Sequence, residues 1–115
     1  MTMPRPELAA LAGDLRALRG LPVLVVGLGR SGCAAARWLL ARGARVTATD
    51  LKPIHELSRE ATALSDAGVW LQAGRHDDAL FDSAALIIVS PGVSLAMPPL
   101  AAARQRGTPV ISEID

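Results

Sequence analysis

Gly27-Leu28-Gly29-Arg30-Ser31-Gly32 carries the spacing G-x-G-x-x-G, which holds phosphates when it joins a buried strand to a helix. Both neighbours are legible. Val23-Leu24-Val25-Val26 is a continuous apolar run rich in β-branched residues, and Cys33 to Arg42 reads as a helix with apolar Trp38, Leu39 and Leu40. In that setting Gly27 permits a sharp turn, Gly29 lets the backbone come close to a phosphate, and Gly32 lets the helix pack against the strand. The N–H groups and positive dipole end at the helix start favour a diphosphate. The Ser31 hydroxyl adds a side-chain donor. Without a ligand the same residues would make only a tight strand-to-helix turn.

Asp50 lies eighteen residues beyond Gly32 and ends the next strand, Arg45 to Thr49. Dinucleotide folds place there the acid that accepts a ribose hydroxyl, so the residues alone point first to NAD or FAD. The plainer reading is a solvated loop aspartate. Lys52 is unusual beside a ribose and is placed to face solvent, a ligand edge or a phosphate. Ser90-Pro91-Gly92 closes the fourth strand with a hydroxyl, a fixed φ and a glycine N–H, across the point where open α/β sheets bind ligands. Ser90 is not read as a nucleophile, because no G-x-S-x-G elbow surrounds it. No catalytic residue is assigned. His76 could orient a ligand or act as a base, although a loop histidine is more often simply exposed. Cys33 reads as a packed residue whose place near a helix start could lower its thiol pKa. Asp77, Asp78 and Asp82 read as a polar loop or helix start, with weak cation binding as the alternative.

The elements that position these residues follow from periodicity. Leu8, Leu11, Leu15 and Leu18 mark a helix over 6–19, closed by Gly20. After the first strand, glycine loop, helix and second strand come a helix over roughly 57–67, a short strand at 69–71 and a polar loop at 74–78. A strand at 85–89, a helix at 98–106 and a strand from 110 complete the chain. Such alternation implies right-handed crossovers and a parallel sheet. The expected fold is a Rossmann-like, doubly wound α/β domain with strand order 3-2-1-4-5. It is preceded by a helical extension over 1–21 and spans 22–115.

Composition narrows the chemistry. Twelve Lys+Arg against eleven Asp+Glu leave a net charge of +1 in 115 residues, without the broad basic face that nucleic acid needs. The single lysine, Lys52, is followed by Pro53, so no G-x-x-x-x-G-K-[ST] loop is present. One cysteine excludes an internal disulfide and a thiolate cluster, and His55 and His76 lack metal-site spacing, so no metal site is expected. Trp38, Trp70 and Phe81 are too few for a base-stacking platform. Ser83 to Ala103 is uncharged over a bilayer-spanning length, but Ser90-Pro91-Gly92 and Pro98-Pro99 would break a helix there, so no membrane association is expected. The amino terminus lacks the apolar core of a signal peptide, and a cytoplasmic domain is expected.

In series, residues 23–32, Ala41-Arg42-Gly43, Asp50, Gly74-x-His76, Leu86 to Val93 and Pro109 to Ile114 resemble the amino-terminal domain of the Mur ligases of peptidoglycan synthesis, the D-glutamate-adding branch in particular. The resemblance covers about residues 22–114. It implies a domain that grips the uridine diphosphate end of UDP-N-acetylmuramoyl-L-alanine rather than NAD. Gly27, Gly29 and Gly32 would cradle the diphosphate with Arg30 and Ser31 in contact. Asp50, Leu51 and Lys52 would face the uracil or its ribose, and Ser90, Pro91 and Gly92 would line the substrate's path. Leu51 departs from the hydroxyl residue common at its place, which shifts uracil recognition toward backbone groups. The resemblance further implies ATP and magnesium in the full-length enzyme, held by central and carboxy-terminal domains outside this chain, and a monomer. An NAD(P)-binding oxidoreductase domain and a nucleotide-sensing module are the competing readings.

Overall fold

A computed structural model of the protein describes residues 18–112. The helix expected over 6–19 lies outside them except for its last two residues, of which Leu18 is fully buried. The elements are β1 (Pro22–Val26), α1 (Arg30–Ala41), β2 (Arg45–Asp50), a single 3-10 turn (Ile54–Glu56), α2 (Arg59–Ala67), β3 (Trp70–Ala73), α3 (Asp78–Ser83), β4 (Leu86–Val89), α4 (Pro98–Gln105) and β5 (Val110–Ser112). All strand pairings are parallel, in the order β3-β2-β1-β4-β5. That is the sheet expected from the alternation of strands and helices.

The sheet is buried on both faces, which is why its central strands read as unbroken apolar runs. Val23 and Val25 of β1, with Leu86 and Ile88 of β4, point to one side. There they pack with Ala36 and Leu39 of α1 and Ala61 and Leu64 of α2. Leu24 and Val26, with Ile87 and Val89, point to the other side against Phe81 of α3 and Leu100 and Ala103 of α4. The period-2 alternation of strand side chains sorts the residues between the two layers.

Helix ends follow local chemistry. The Ser58 hydroxyl accepts the Ala61 N–H at 3.0 Å to start α2, and Gly68 ends it at φ +112, a backbone state that suits glycine. The 3-10 turn and this cap explain why α2 begins at Arg59 rather than near 57. α1 begins three residues before the expected Cys33, because its first turn contains Gly32, a poor helix former kept there by packing. α3 stands where the sequence reads as a polar loop running toward the fourth strand. The Asp77 carboxylate accepts the Ala79 N–H at 3.1 Å and caps it, but six residues are too few to show a 3.6-residue period. Among the described residues no helix is long and apolar enough to cross a membrane.

The register sets the strand ends level. Val26 is opposite Thr49 on one side and Val89 on the other, so the exits of β1, β2 and β4 share one edge of the sheet. Phe81 is the one aromatic residue of the second layer and is 1% exposed. Phe81→Ala should therefore lower the unfolding free energy by about 3–5 kcal/mol, read from urea denaturation. A loss below about 1 kcal/mol would show that α3 does not hold this layer.

Candidate functional site

The level strand exits bring the glycine loop, the end of β2 and the turn after β4 together. Gly27 sits at φ +91, and its N–H donates to the Thr49 carbonyl at 2.8 Å. A Cβ on Gly32 would stand 1.9 Å from the Gly27 carbonyl oxygen and 2.9 Å from Ser90 Oγ. Gly32 is thus the close-packing glycine expected of the motif. Gly29 differs: a Cβ there meets nothing within 4 Å, and its φ of −74 suits any residue. The space above Gly29 is open. No side chain caps the start of α1 and no acid lies in its first turn, so the positive end of the helix dipole is not offset from within the helix.

Asp50 fastens the loop. Its Oδ2 accepts the Leu28 N–H at 2.7 Å and its Oδ1 accepts the Lys52 N–H at 2.9 Å. Both oxygens already hold backbone donors, so the acid expected to meet a ribose first of all shapes the walls around it. Ser90 is also committed. It is buried, and its hydroxyl donates to the Gly27 carbonyl at 2.8 Å, so its proton is turned into the fold.

Three compartments surround Asp50. The central one, ≈ 280 Å³, lies over the glycine loop and is lined by Gly27, Gly29, Arg30 and Ser31 together with Ser90, Pro91 and Gly92. A polar one, ≈ 440 Å³, contains Arg30, Lys52, Glu56, Ser58 and Glu60. Glu60 pairs with Arg37 at 3.1 Å, whereas among the described residues neither Arg30 nor Lys52 forms an ion pair. The third, ≈ 510 Å³, is mostly apolar and is lined by Leu51, Val93, Ala96 and Met97, with His76. Every residue expected to hold the uridine diphosphate end lines one of the three except Gly32, which lies beneath the loop. Leu51, 62% exposed, and Lys52 fall on opposite sides of Asp50. A larger cleft, ≈ 590 Å³, opens around Trp70 at the opposite ends of the strands and shares no residue with these three.

His76 is half-buried rather than a free loop histidine. Its Nδ1 lies 2.9 Å from Thr49 Oγ1, which in turn donates to the Arg75 carbonyl at 3.0 Å, and its ring meets Phe81 edge-on at 6.1 Å. Burial pushes its pKa below the ordinary 6.5, against an opposing upward pull from Asp50. Sequence reasoning misses Thr49, because a threonine in a strand has no distinguishing signal. For Cys33 the direction expected from its helix position is reversed. Burial raises the thiol pKa first, and Glu60 adds to the rise. The thiol is 1% exposed and lies 3.6 Å from the Leu28 carbonyl, so it stays protonated and packed. Of the three loop acids, Asp77 caps α3 and Asp82 pairs with Arg106 at 3.2 Å.

Among the described residues no group of three His, Cys, Asp or Glu side chains could hold a metal ion. The lone lysine is not in a nucleotide-triphosphate loop. Neither observation supplies a set of side chains for ATP and magnesium among the described residues.

A parallel doubly wound sheet with a glycine-rich loop at its switch point defines a Rossmann-like domain. The family model described as Mur ligase MurD-like, N-terminal domain, matches residues 22–112, and the chain belongs to that family. UDP-N-acetylmuramoylalanine–D-glutamate ligase of Koribacter versatilis is 46% identical over 85% of this chain, which covers 22% of that protein. The enzyme of the same name from Anaeromyxobacter dehalogenans is 48% identical over 85% of the chain and 21% of its own length. The chain thus spans about a fifth of the curated relatives it matches. Among solved structures, a pseudomurein peptide ligase type C from Methanothermus fervidus superposes with a TM-score of 0.62 at 25% identity, over 78% of this chain and 18% of that one. D-lactate dehydrogenase from Escherichia coli, at 24% identity and a TM-score of 0.56 over 83% of this chain and 29% of that one, shares the fold.

Two measurements test the local physics. Gly32→Ala should cost about 3 kcal/mol of stability or prevent folding, while Gly29→Ala should change it by less than about 1 kcal/mol, both by chemical denaturation. Similar losses at the two positions would contradict the close contact of Gly32 with Gly27. The lowered pKa of His76 also has a sign. Below pH 6.5 the unfolded chain takes up a proton that the folded chain resists, so stability falls as pH drops through that value and is flat above it. His76→Phe should lose that portion of the acid sensitivity. An unchanged pH profile in the variant would mean that His76 titrates normally in the fold.

Proposed function

We propose that this domain grips the uridine diphosphate end of UDP-N-acetylmuramoyl-L-alanine for an ATP-dependent ligase that adds D-glutamate to it in peptidoglycan synthesis. The observation that carries the reading is the open backbone at Gly29, at an α1 start with no side-chain cap and no acid in its first turn, flanked by two cations that form no ion pair among the described residues. Backbone N–H groups and a helix dipole suit a diphosphate, and Arg30 and Lys52 add charge beside it. Arg30 and Ser31 contact the diphosphate over the central compartment, with Gly27, Gly29 and Gly32 forming its floor. The base enters the apolar compartment beside Leu51, and Asp50 holds the wall between base and phosphates. Ser90, Pro91 and Gly92 border the path toward the sugar. Family membership and the activity for which the relatives are named support this substrate class.

In this reading residues 22–115 form the substrate-binding unit and 1–21 an extension. ATP, magnesium and the D-glutamate site belong to further domains of a monomeric cytoplasmic enzyme, and this chain alone hydrolyses no ATP. Calorimetric titration of the chain should show saturable binding of UDP-N-acetylmuramoyl-L-alanine and of UDP, and none of NADH or NADPH. Saturable NADH binding with no response to the uridine compounds would overturn the reading in favour of an oxidoreductase domain. Gly29→Val puts a branched side chain into the open space over the loop. It should weaken uridine diphosphate binding at least tenfold while leaving the thermal midpoint within a few degrees of wild type.

A further inference from the structure

Three side chains of the apolar compartment can hydrogen-bond: Asp50, whose two oxygens hold backbone N–H groups, Ser94, whose hydroxyl accepts the Ala96 N–H, and His76, whose neighbours dictate how it reads a base. Thr49 Oγ1 has one proton and two candidate partners, the Arg75 carbonyl at 3.0 Å and His76 Nδ1 at 2.9 Å. A carbonyl can only accept, so the hydroxyl proton belongs to Arg75. His76 Nδ1 must then bring its own proton to Thr49 Oγ1. Burial favours the neutral imidazole, and a neutral ring with Nδ1–H carries a lone pair on Nε2. Among the described residues Nε2 has no hydrogen-bond partner, and His76 lines the compartment beside Leu51 and Val93. Edge-on contact with Phe81 restrains the ring.

We propose that His76 determines base specificity, its Nε2 accepting the imide N–H of uracil. The proposal rests on the reading that a uridine diphosphate binds here with its base in this compartment. Uracil presents an N–H between two carbonyls. Cytosine presents a bare acceptor nitrogen at the same ring position, which would set two lone pairs against each other and leave a desolvated acceptor unpaired. Leu51, Ala96 and Met97 supply apolar contact to either base but distinguish neither. The Ser94 hydroxyl can donate or accept and so suits either base, which leaves the discrimination to His76 Nε2, whose acceptor state is dictated from behind by Thr49 and the Arg75 carbonyl.

Titration of the full chain with UDP and with CDP tests this. Wild type should bind UDP at least tenfold more tightly than CDP. His76→Phe, which keeps a ring against Phe81, should weaken UDP about tenfold and leave CDP unchanged, bringing the ratio close to one. Imidazole ¹⁵N spectra of wild type provide a readout that does not depend on the variant folding. They should show the Nδ1–H tautomer, with an Nε2 resonance that moves on saturation with UDP and not with CDP. Thr49→Val, which removes only the hydroxyl, should yield a tautomer mixture. An Nε2–H tautomer in wild type, or an unchanged UDP-to-CDP ratio in His76→Phe, overturns the inference. UDP binding that Gly29→Val abolishes and His76→Phe leaves intact overturns it alone. Absence of UDP binding by wild type overturns the proposed function with it.

Discussion

The carbonyl of Gly27 is the contact on which the rest of the site depends. Gly32 crowds it so closely that no side chain fits between them, and the Ser90 hydroxyl donates to it at 2.8 Å from the turn after β4. The N–H of the same residue donates to Thr49 at the end of β2. One peptide neighbourhood thereby ties β1, β2, β4 and α1 together at the edge of the sheet where ligands bind. Such an arrangement requires glycine at two positions for different reasons. Gly27 needs its positive φ, and Gly32 needs the missing Cβ. What results is a helix start held rigidly over the switch point, with its dipole directed at open space above Gly29.

Asp50 extends that rigidity sideways. By accepting N–H groups from Leu28 and Lys52, it fixes the glycine loop to the exit of β2 and divides the cleft. The chain leaves the strand so that Leu51 turns to the apolar side and Lys52 to the polar side. Gly74 tightens the same corner, its N–H donating to the carbonyls of both Asp50 and Lys52 at 2.9 Å. A carboxylate with two backbone donors is held in one orientation. The walls of the cleft are therefore set before any ligand arrives, which lowers the ordering cost of binding.

Much of this is legible in the residues themselves, and what is not has physical causes. The buried strands show as apolar runs because both of their faces are covered, so Val23 to Val26 and Leu86 to Val89 announce the centre of a parallel sheet. The three glycines show through their spacing, which is that of a strand-to-helix turn over a phosphate. Side-chain partners have no such period. Nothing in the order Thr49, Arg75, His76 indicates that one hydroxyl bridges the other two, because α2 carries the chain away from β2 and β3 brings it back alongside before they meet. α3 is hidden by its brevity. The thiol of Cys33 misleads because a helix start and a buried layer push its pKa in opposite directions, and only the depth of burial decides between them.

The same packing that makes the cleft rigid withdraws its reactive groups. Ser90 has the hydroxyl best placed to attack a ligand, yet its proton is held by Gly27 and no base approaches it among the described residues. Cys33 is protonated, buried and turned to the Leu28 carbonyl. His76, the one imidazole lining the cleft among the described residues, has Nδ1 tied to Thr49 and on the inferred tautomer offers only an acceptor nitrogen. In the proposed function, backbone N–H groups, two cations and an apolar slot bind and orient the substrate, and its bonds are formed elsewhere. On the proposed reading the grip here lies far from the carboxylate that reacts. Binding energy from such a remote part of a substrate still serves catalysis, because it fixes the reacting end against groups carried elsewhere. A rigid cleft suits that task, since any slack at the nucleotide end is carried along the substrate to the carboxylate.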